Sequence, residues 1–146
     1  MTVRLRVVNR KEFEDKINRQ QRDVLENLQN AVRVAANETR NVAITSILQN
    51  PRSGGKVTRY NPKRTINISA AGDPPAGDTG FLASNIHLVM DNDGMGADVE
   101  SRADYSASLE FGTSKMAARP FLQPALEQGR AKYSRLFSKA VKDGIK

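Results

Sequence analysis

The chain has 146 residues, 38% apolar and 27% charged, with a net charge of +7 and neither Cys nor Trp. That length fits a single domain over residues 1–146, built around one modest core. The lack of Cys excludes disulfides and thiolate metal sites and suits a reducing cytosol, and an aromatic content of 5% argues against a base-stacking platform.

Residues 2–9 alternate, with Val3, Leu5 and Val7 on one face and Arg4 and Arg6 on the other, which predicts a half-buried strand. The first ten residues lack the apolar stretch of a signal peptide. No run approaches the roughly 20 apolar residues that span a bilayer. Residues 10–49 contain no Pro or Gly. Phe13, Ile17, Val24, Leu28, Ala31, Ala35, Val42 and Ile47 recur near the 3.6 period. One long amphipathic helix is expected, with candidate breaks at residues 18–21 and at Asn37, and Pro51 ends it. Its heptads are irregular, which favours a core-packing helix over a coiled coil.

Residues 51–64 read as a flexible basic loop. Arg52, Lys56, Arg59, Lys63 and Arg64 are its candidate DNA- or partner-facing cations. Gly54-Gly55-Lys56 invites a phosphate-loop reading, which fails twice: Asn50 stands where the first glycine belongs, and Val57 replaces the Ser or Thr that would hold Mg²⁺. Residues 64–70 alternate through Ile66 and Ile68 and predict a strand. Gly72, Pro74, Pro75 and Gly77 then impose irregular backbone. Asp78 is a candidate cap for a short turn carrying Phe81 and Leu82. Residues 85–91 and 97–103 alternate around a turn-forming Asp91-Asn92-Asp93-Gly94 cluster, so they predict a hairpin.

Residues 104–126 read as a short helical turn, a glycine break, a crossing loop and a Pro-Phe entry into a last helix. Asp104 is the candidate N-cap, with Tyr105 and Leu109 on one face. Gly112 suits the φ > 0 position that ends such a turn. Pro120 restricts Arg119 before the helix. Phe111, Phe121 and Leu122 are the expected anchors of that helix. It runs over 121–145, with a stripe of Leu122, Leu126, Tyr133, Phe137 and Val141 and with Ala125, Leu136 and Ala140 beside it. Pro124 is tolerable in its first turn. The expected architecture is α+β: two long helices packed on a small, mainly antiparallel sheet, with a long basic loop.

Catalytic groups are sparse. His87 is the only His and falls on the outer face of a predicted strand, so a solvated role outweighs a nucleophilic or zinc-binding one. Asp91, Asp93 and Asp98 lack the twelfth-position Glu of a calcium loop and fit a turn better. Glu110, between Leu109 and Phe111, is expected to be partly buried and so to need a cation or backbone donors, with Arg119 the candidate partner. No second titratable group accompanies it, so a structural role is expected and the chain does not read as an enzyme. No catalytic, cofactor or metal residue is assigned.

Tyr105-x-x-x-Leu109-Glu110-Phe111-Gly112, followed by Arg119-Pro120-Phe121-Leu122-x-Pro124, resembles the signature of a tailed-phage family. Its members are the gene-ten-like neck or tail-completion proteins of long-tailed phages. Gly72-Asp73-Pro74-Pro75-Ala76 and Asp78-Thr79-Gly80-Phe81-Leu82 resemble the family's central segment in the same order. The family's usual His before that segment has no counterpart in Ile68-Ser69-Ala70-Ala71-Gly72. The resemblance implies a virion structural protein at the head–tail junction, assembled in the host cytoplasm. It implies a homo-oligomeric ring that joins or finishes the tail. Its partners would be tail-terminator, head-closure or tail-tube proteins, with genomic DNA in the channel and no membrane. The residues alone leave a second reading, a basic nucleic-acid-binding protein using 52–64 and the last helix, although it lacks a recognised motif.

Charge is unevenly placed: +2 over residues 1–38, +6 over 39–72, −7 over 73–110 and +6 over 111–146. Such runs are commonly solvated faces. The alternative is self-complementary docking, with one subunit's acidic segment against its neighbour's basic one.

Overall fold

A computed structural model describes residues 10–50 and 52–145. The strand expected over residues 2–9, and the terminating Pro51, lie outside them. The described elements run α1 (Arg10–Leu48), β1 (Lys56–Tyr60), β2 (Lys63–Asn67), α2 (Phe81–Ser84), β3 (Ile86–Met90), β4 (Ala97–Ser101), α3 (Ser106–Phe111) and α4 (Leu122–Gly144). The class is α+β, as expected. The strands form two separate antiparallel pairs, β1–β2 and β3–β4, and not one sheet.

Helix α1 is continuous over 39 residues, about 58 Å at 1.5 Å per residue. Neither candidate break materialises. Asn37 Nδ2 donates to the Arg33 carbonyl one turn back on its own helix. Gln20, which weakens the apolar stripe, donates to the Ile145 carbonyl at 2.8 Å, and Asn27 donates to the Ala140 carbonyl. The first serves the carbonyl of the α4 C-cap, where intrahelical partners run out, and the second reaches α4 one turn earlier.

The same contacts set the direction of packing. Residues 20, 27 and 39 of α1 meet 145, 140 and 133, so α4 runs antiparallel to α1. The seam is made of small residues: Ala31, Ala35, Ala36 and Ala43 from α1, and Ala125, Gly129, Ala140 and Gly144 from α4. At Gly144 a Cβ would sit 2.6 Å from the Val24 Cα, so only glycine lets the two backbones approach there. Tyr133 is the one large buried residue of this face, and its hydroxyl lies 3.0 Å from Thr39 Oγ1. The predicted α4 stripe is corrected at Leu126, which is 54% exposed. Tyr133 and the flanking Ala125 and Ala140 are buried as expected, and Gly129 and Gly144, which the stripe did not include, join them.

The core gathers at the far end of this helix pair, where Ala43 and Ile47 meet Leu82, Ala83, Ile86, Ala103, Phe121 and Ala125. Strands β3 and β4 pair as predicted, with Leu88 opposite Val99. Their turn is closed by Asp91 and Asp93: Gly94 N–H donates to the Asp91 carbonyl, and Met95 N–H to Asp93 Oδ1.

Residues 51–64 differ most from expectation. Most of the predicted loop is a hairpin, with Val57 opposite Ile66 and Tyr60 opposite Lys63 across an Asn61-Pro62 turn. The predicted 64–70 strand supplies the partner in a shifted span, Lys63–Asn67. β-branched and aromatic residues in Lys-Val-Thr-Arg-Tyr favour pleated backbone, and the hairpin is continued by Ile68 N–H donating to the Gly55 carbonyl. Neither predicted acidic cap forms. Asp78 pairs with Arg64 at 2.7 Å, so α2 starts after Gly80 with no side-chain cap, and α3 starts after Tyr105 without one.

Candidate docking cleft

Segment 104–126 folds as one unit. Gly112 has φ 74°. Thr113 and Met116 then exchange backbone hydrogen bonds, which turns the chain back, and Arg119 N–H donates to the Leu109 carbonyl. Glu110 is half-buried, as expected, but Arg119 is not its partner. Its Oε2 accepts from the backbone N–H of Phe121 at 2.8 Å and Leu122 at 3.1 Å, and its Oε1 from Gln123 at 2.9 Å. The Arg119 guanidinium instead donates to the carbonyl of buried Ser69 at 3.3 Å. Backbone donors at a helix N-terminus outcompete a cation because they are already in place and unsatisfied.

The predicted anchors separate. Phe121 is 1% exposed and Leu122 packs at the core's edge, but Phe111 is 78% exposed and lies outside the core formed by the described residues. Pro120 is half-buried before α4, and Pro124 lies exposed in its first turn.

Tyr105, Leu109 and Arg119 also line a cleft of about 680 Å³ between the β1–β2 hairpin and α2–α3. Val57, Arg59, Tyr60 and Arg64 form its hairpin wall, Phe81 and Tyr105 face them, and Leu82 and Ile68 lie deeper. The Phe81 and Tyr105 rings sit 6.3 Å apart, tilted by 33°. A larger and more open groove of about 850 Å³ runs along α1, but apart from Asp73 and Pro74 it gathers none of the residues that carry the family resemblance and none of the hairpin cations.

Five of the chain's eight aromatic residues are exposed: Phe13, Tyr60, Phe81, Tyr105 and Phe111. Isolated exposed apolar residues are ordinary, but three converging on one cleft with arginines have the composition of an interaction surface. Sequence reasoning missed Tyr60 and named Phe81 without joining it to Tyr105, because both lie far from Tyr105 along the chain.

The basic residues divide by role. Arg52 donates to the Gly77 carbonyl at 2.6 Å, and Arg64 is tied to Asp78. Arg59 stands on the cleft wall, while Lys56 and Lys63 are exposed on the hairpin. Burial pushes the Tyr105 hydroxyl above the usual tyrosine pKa, and the nearby Arg59 charge partly offsets this by favouring the phenolate. Arg59→Ala is therefore expected to raise the Tyr105 pKa further. Spectrophotometric titration in a Tyr60→Phe, Tyr133→Phe background isolates that phenol. An unchanged or lowered midpoint would show that Arg59 does not face it.

Among the described residues, no three His, Cys, Asp or Glu residues cluster as a metal set, and no helix is long and apolar enough to cross a membrane. No protein-family model, curated protein or solved structure matches this chain.

Proposed function

We propose that this protein is a structural component of a long-tailed phage virion. In this reading it is a neck or tail-completion protein that forms a ring at the head–tail junction and works by docking, without catalysis. The observation that carries the reading is the coherence of the signature segment. Tyr105, Leu109, Glu110, Gly112, Arg119, Pro120, Phe121 and Leu122 are consecutive parts of one hydrogen-bonded junction between α3 and α4. Two further features support it. Phe111 projects from that junction at 78% exposure, and the adjoining cleft combines aromatic and basic side chains. Both are what a protein needs when its partners are other proteins.

The test is the particle. Virions or purified tails should contain the chain in multiple, mutually contacting copies, read by mass measurement and cross-linking. Lys56, Arg59, Lys63 and Arg64 lie exposed on a two-stranded hairpin, a unit that is marginal alone. Trypsin should cut there early in the free chain and more slowly in the particle. Absence from virions, or isolated copies without contacts, overturns the reading.

One observation favours nucleic-acid binding as a second reading. Arg135, Lys139 and Lys142 recur at i, i+4 and i+7 on the exposed face of α4, a spacing that lines cations along one side of a helix. A phosphate-binding face loses affinity steeply as salt rises, and its slope falls as those cations are removed. DNA affinity that is weak and indifferent to their removal dismisses this reading.

A further inference from the structure

We propose that the acidic β3–β4 turn of one copy, residues 91–96, seats in the cleft between the β1–β2 hairpin and α2–α3 of the next copy. This rests on the ring reading above and names the contact that would build the ring.

The two surfaces match in charge and in chemistry. Asp91 and Asp93 are exposed on the turn, and Met95 is 40% exposed between them and Asp98. Across residues 73–110 only Arg102 opposes eight acids. The cleft presents Arg59, Arg64 and Arg119 against a single acid, Asp78. Asp78 already holds Arg64, and Arg119 is turned to Ser69, which leaves Arg59 facing the opening. Its aromatic wall of Tyr60, Phe81 and Tyr105 suits a methionine, whose polarizable thioether packs favourably on ring edges. Charge would set the rate and register of docking, and the Met95 side chain would supply the desolvated anchor.

Geometry makes the contact intermolecular. The turn is fixed on α1 at Gln29, whose Nε2 donates to the Asp93 carbonyl at 2.8 Å. The cleft reaches α1 at Ile47. Eighteen helical residues separate those levels, about 27 Å, so a chain cannot seat its own turn. Two acidic turns repel one another, which disfavours a two-fold contact between them. Made in one direction only, a turn-to-cleft contact is heterologous and, repeated by a closing rotation, generates a ring, whereas a reciprocal two-fold exchange would stop at a dimer.

Because the chain has no Cys, Met95→Cys and Tyr60→Cys are clean cross-linking probes. Mixed in the assembled particle under mild oxidation, the two variants should cross-link to one another, and neither should cross-link to itself. In parallel, Arg59→Glu and Asp93→Lys should each reduce assembly roughly tenfold, and the double variant should restore most of it. Melting curves near wild type confirm that the variants fold, and the cysteine pair tests the contact if a reversed charge disturbs the turn. Rings that form without the Met95–Tyr60 cross-link, or reversed charges that do not compensate, overturn this contact and leave the ring standing. A particle in which copies never touch overturns the ring reading itself.

Discussion

Phe121→Ala is expected to lower the unfolding free energy by about 3–5 kcal/mol. The side chain is 1% exposed and is among the largest fully buried groups of the protein, with Ile47 and Ile86. It belongs to the cluster in which α1, α2, β3 and α4 converge, so truncation would leave a cavity lined by residues from four elements, none free to collapse into it. For a chain of this size the loss corresponds to a fall in Tm of roughly 10–15 °C. Phe111→Ala is the internal control. Its ring is 78% exposed, so the substitution should stay within about 0.5 kcal/mol of wild type. Thermal and urea melts of both variants decide the matter. A Phe121→Ala loss below about 1 kcal/mol, or equal losses for the two, would place the core elsewhere.

The contrast between these phenylalanines shows what local pattern can carry. Both flank the glycine break and the proline entry, and both looked like anchors; which of them turns inward depends on where Glu110 pins the start of α4. Helix α1 was legible because Pro and Gly are absent for 40 residues and its stripe is periodic. The β3–β4 hairpin was legible from alternation on either side of Asp91-Asn92-Asp93-Gly94.

The buried face of α4 was legible in part. Tyr133, Ala125 and Ala140 were named from the periodicity, but close helix packing also selects Gly129 and Gly144, which have no side chain to signal it, while the conspicuous Leu126 is left outside. Strand β1 was hidden because Lys56–Tyr60 presents few apolar residues, so a basic loop was the more economical reading, whereas its partner β2 was read as a strand over 64–70. The cleft is a tertiary product: Tyr60, Phe81 and Tyr105 are more than 20 residues apart in sequence, and no spacing rule joins them.

Glu110→Ala is expected to cost about 2–3 kcal/mol, more than an ordinary lost cap, which is worth about 0.5–2 kcal/mol. The reason is a complete accounting of the first turn of α4. Phe121, Leu122 and Gln123 each direct a backbone N–H at the Glu110 carboxylate, and the next residue, Pro124, has no N–H to satisfy. One side chain, from eleven to thirteen positions upstream, therefore serves every backbone donor that lacks an intrahelical acceptor at that helix end and places a negative charge at the positive end of its dipole. Its removal strands the Phe121 amide in the core, where water cannot replace the lost acceptor. Glu110→Gln keeps one acceptor oxygen without the charge and should lose about half as much. Arg119→Ala removes two long bonds to the Ser69 carbonyl and should cost about 1 kcal/mol. A double-mutant cycle between Glu110 and Arg119 should show coupling below about 0.5 kcal/mol, because the two side chains serve different backbone groups. Hydrogen exchange gives the residue-level check. The amides of Phe121, Leu122 and Gln123 should lose protection in Glu110→Ala and keep it in Arg119→Ala. Strong coupling in the cycle, or unchanged protection at those three amides, would return Glu110 to the ion pair that its sequence neighbourhood suggests.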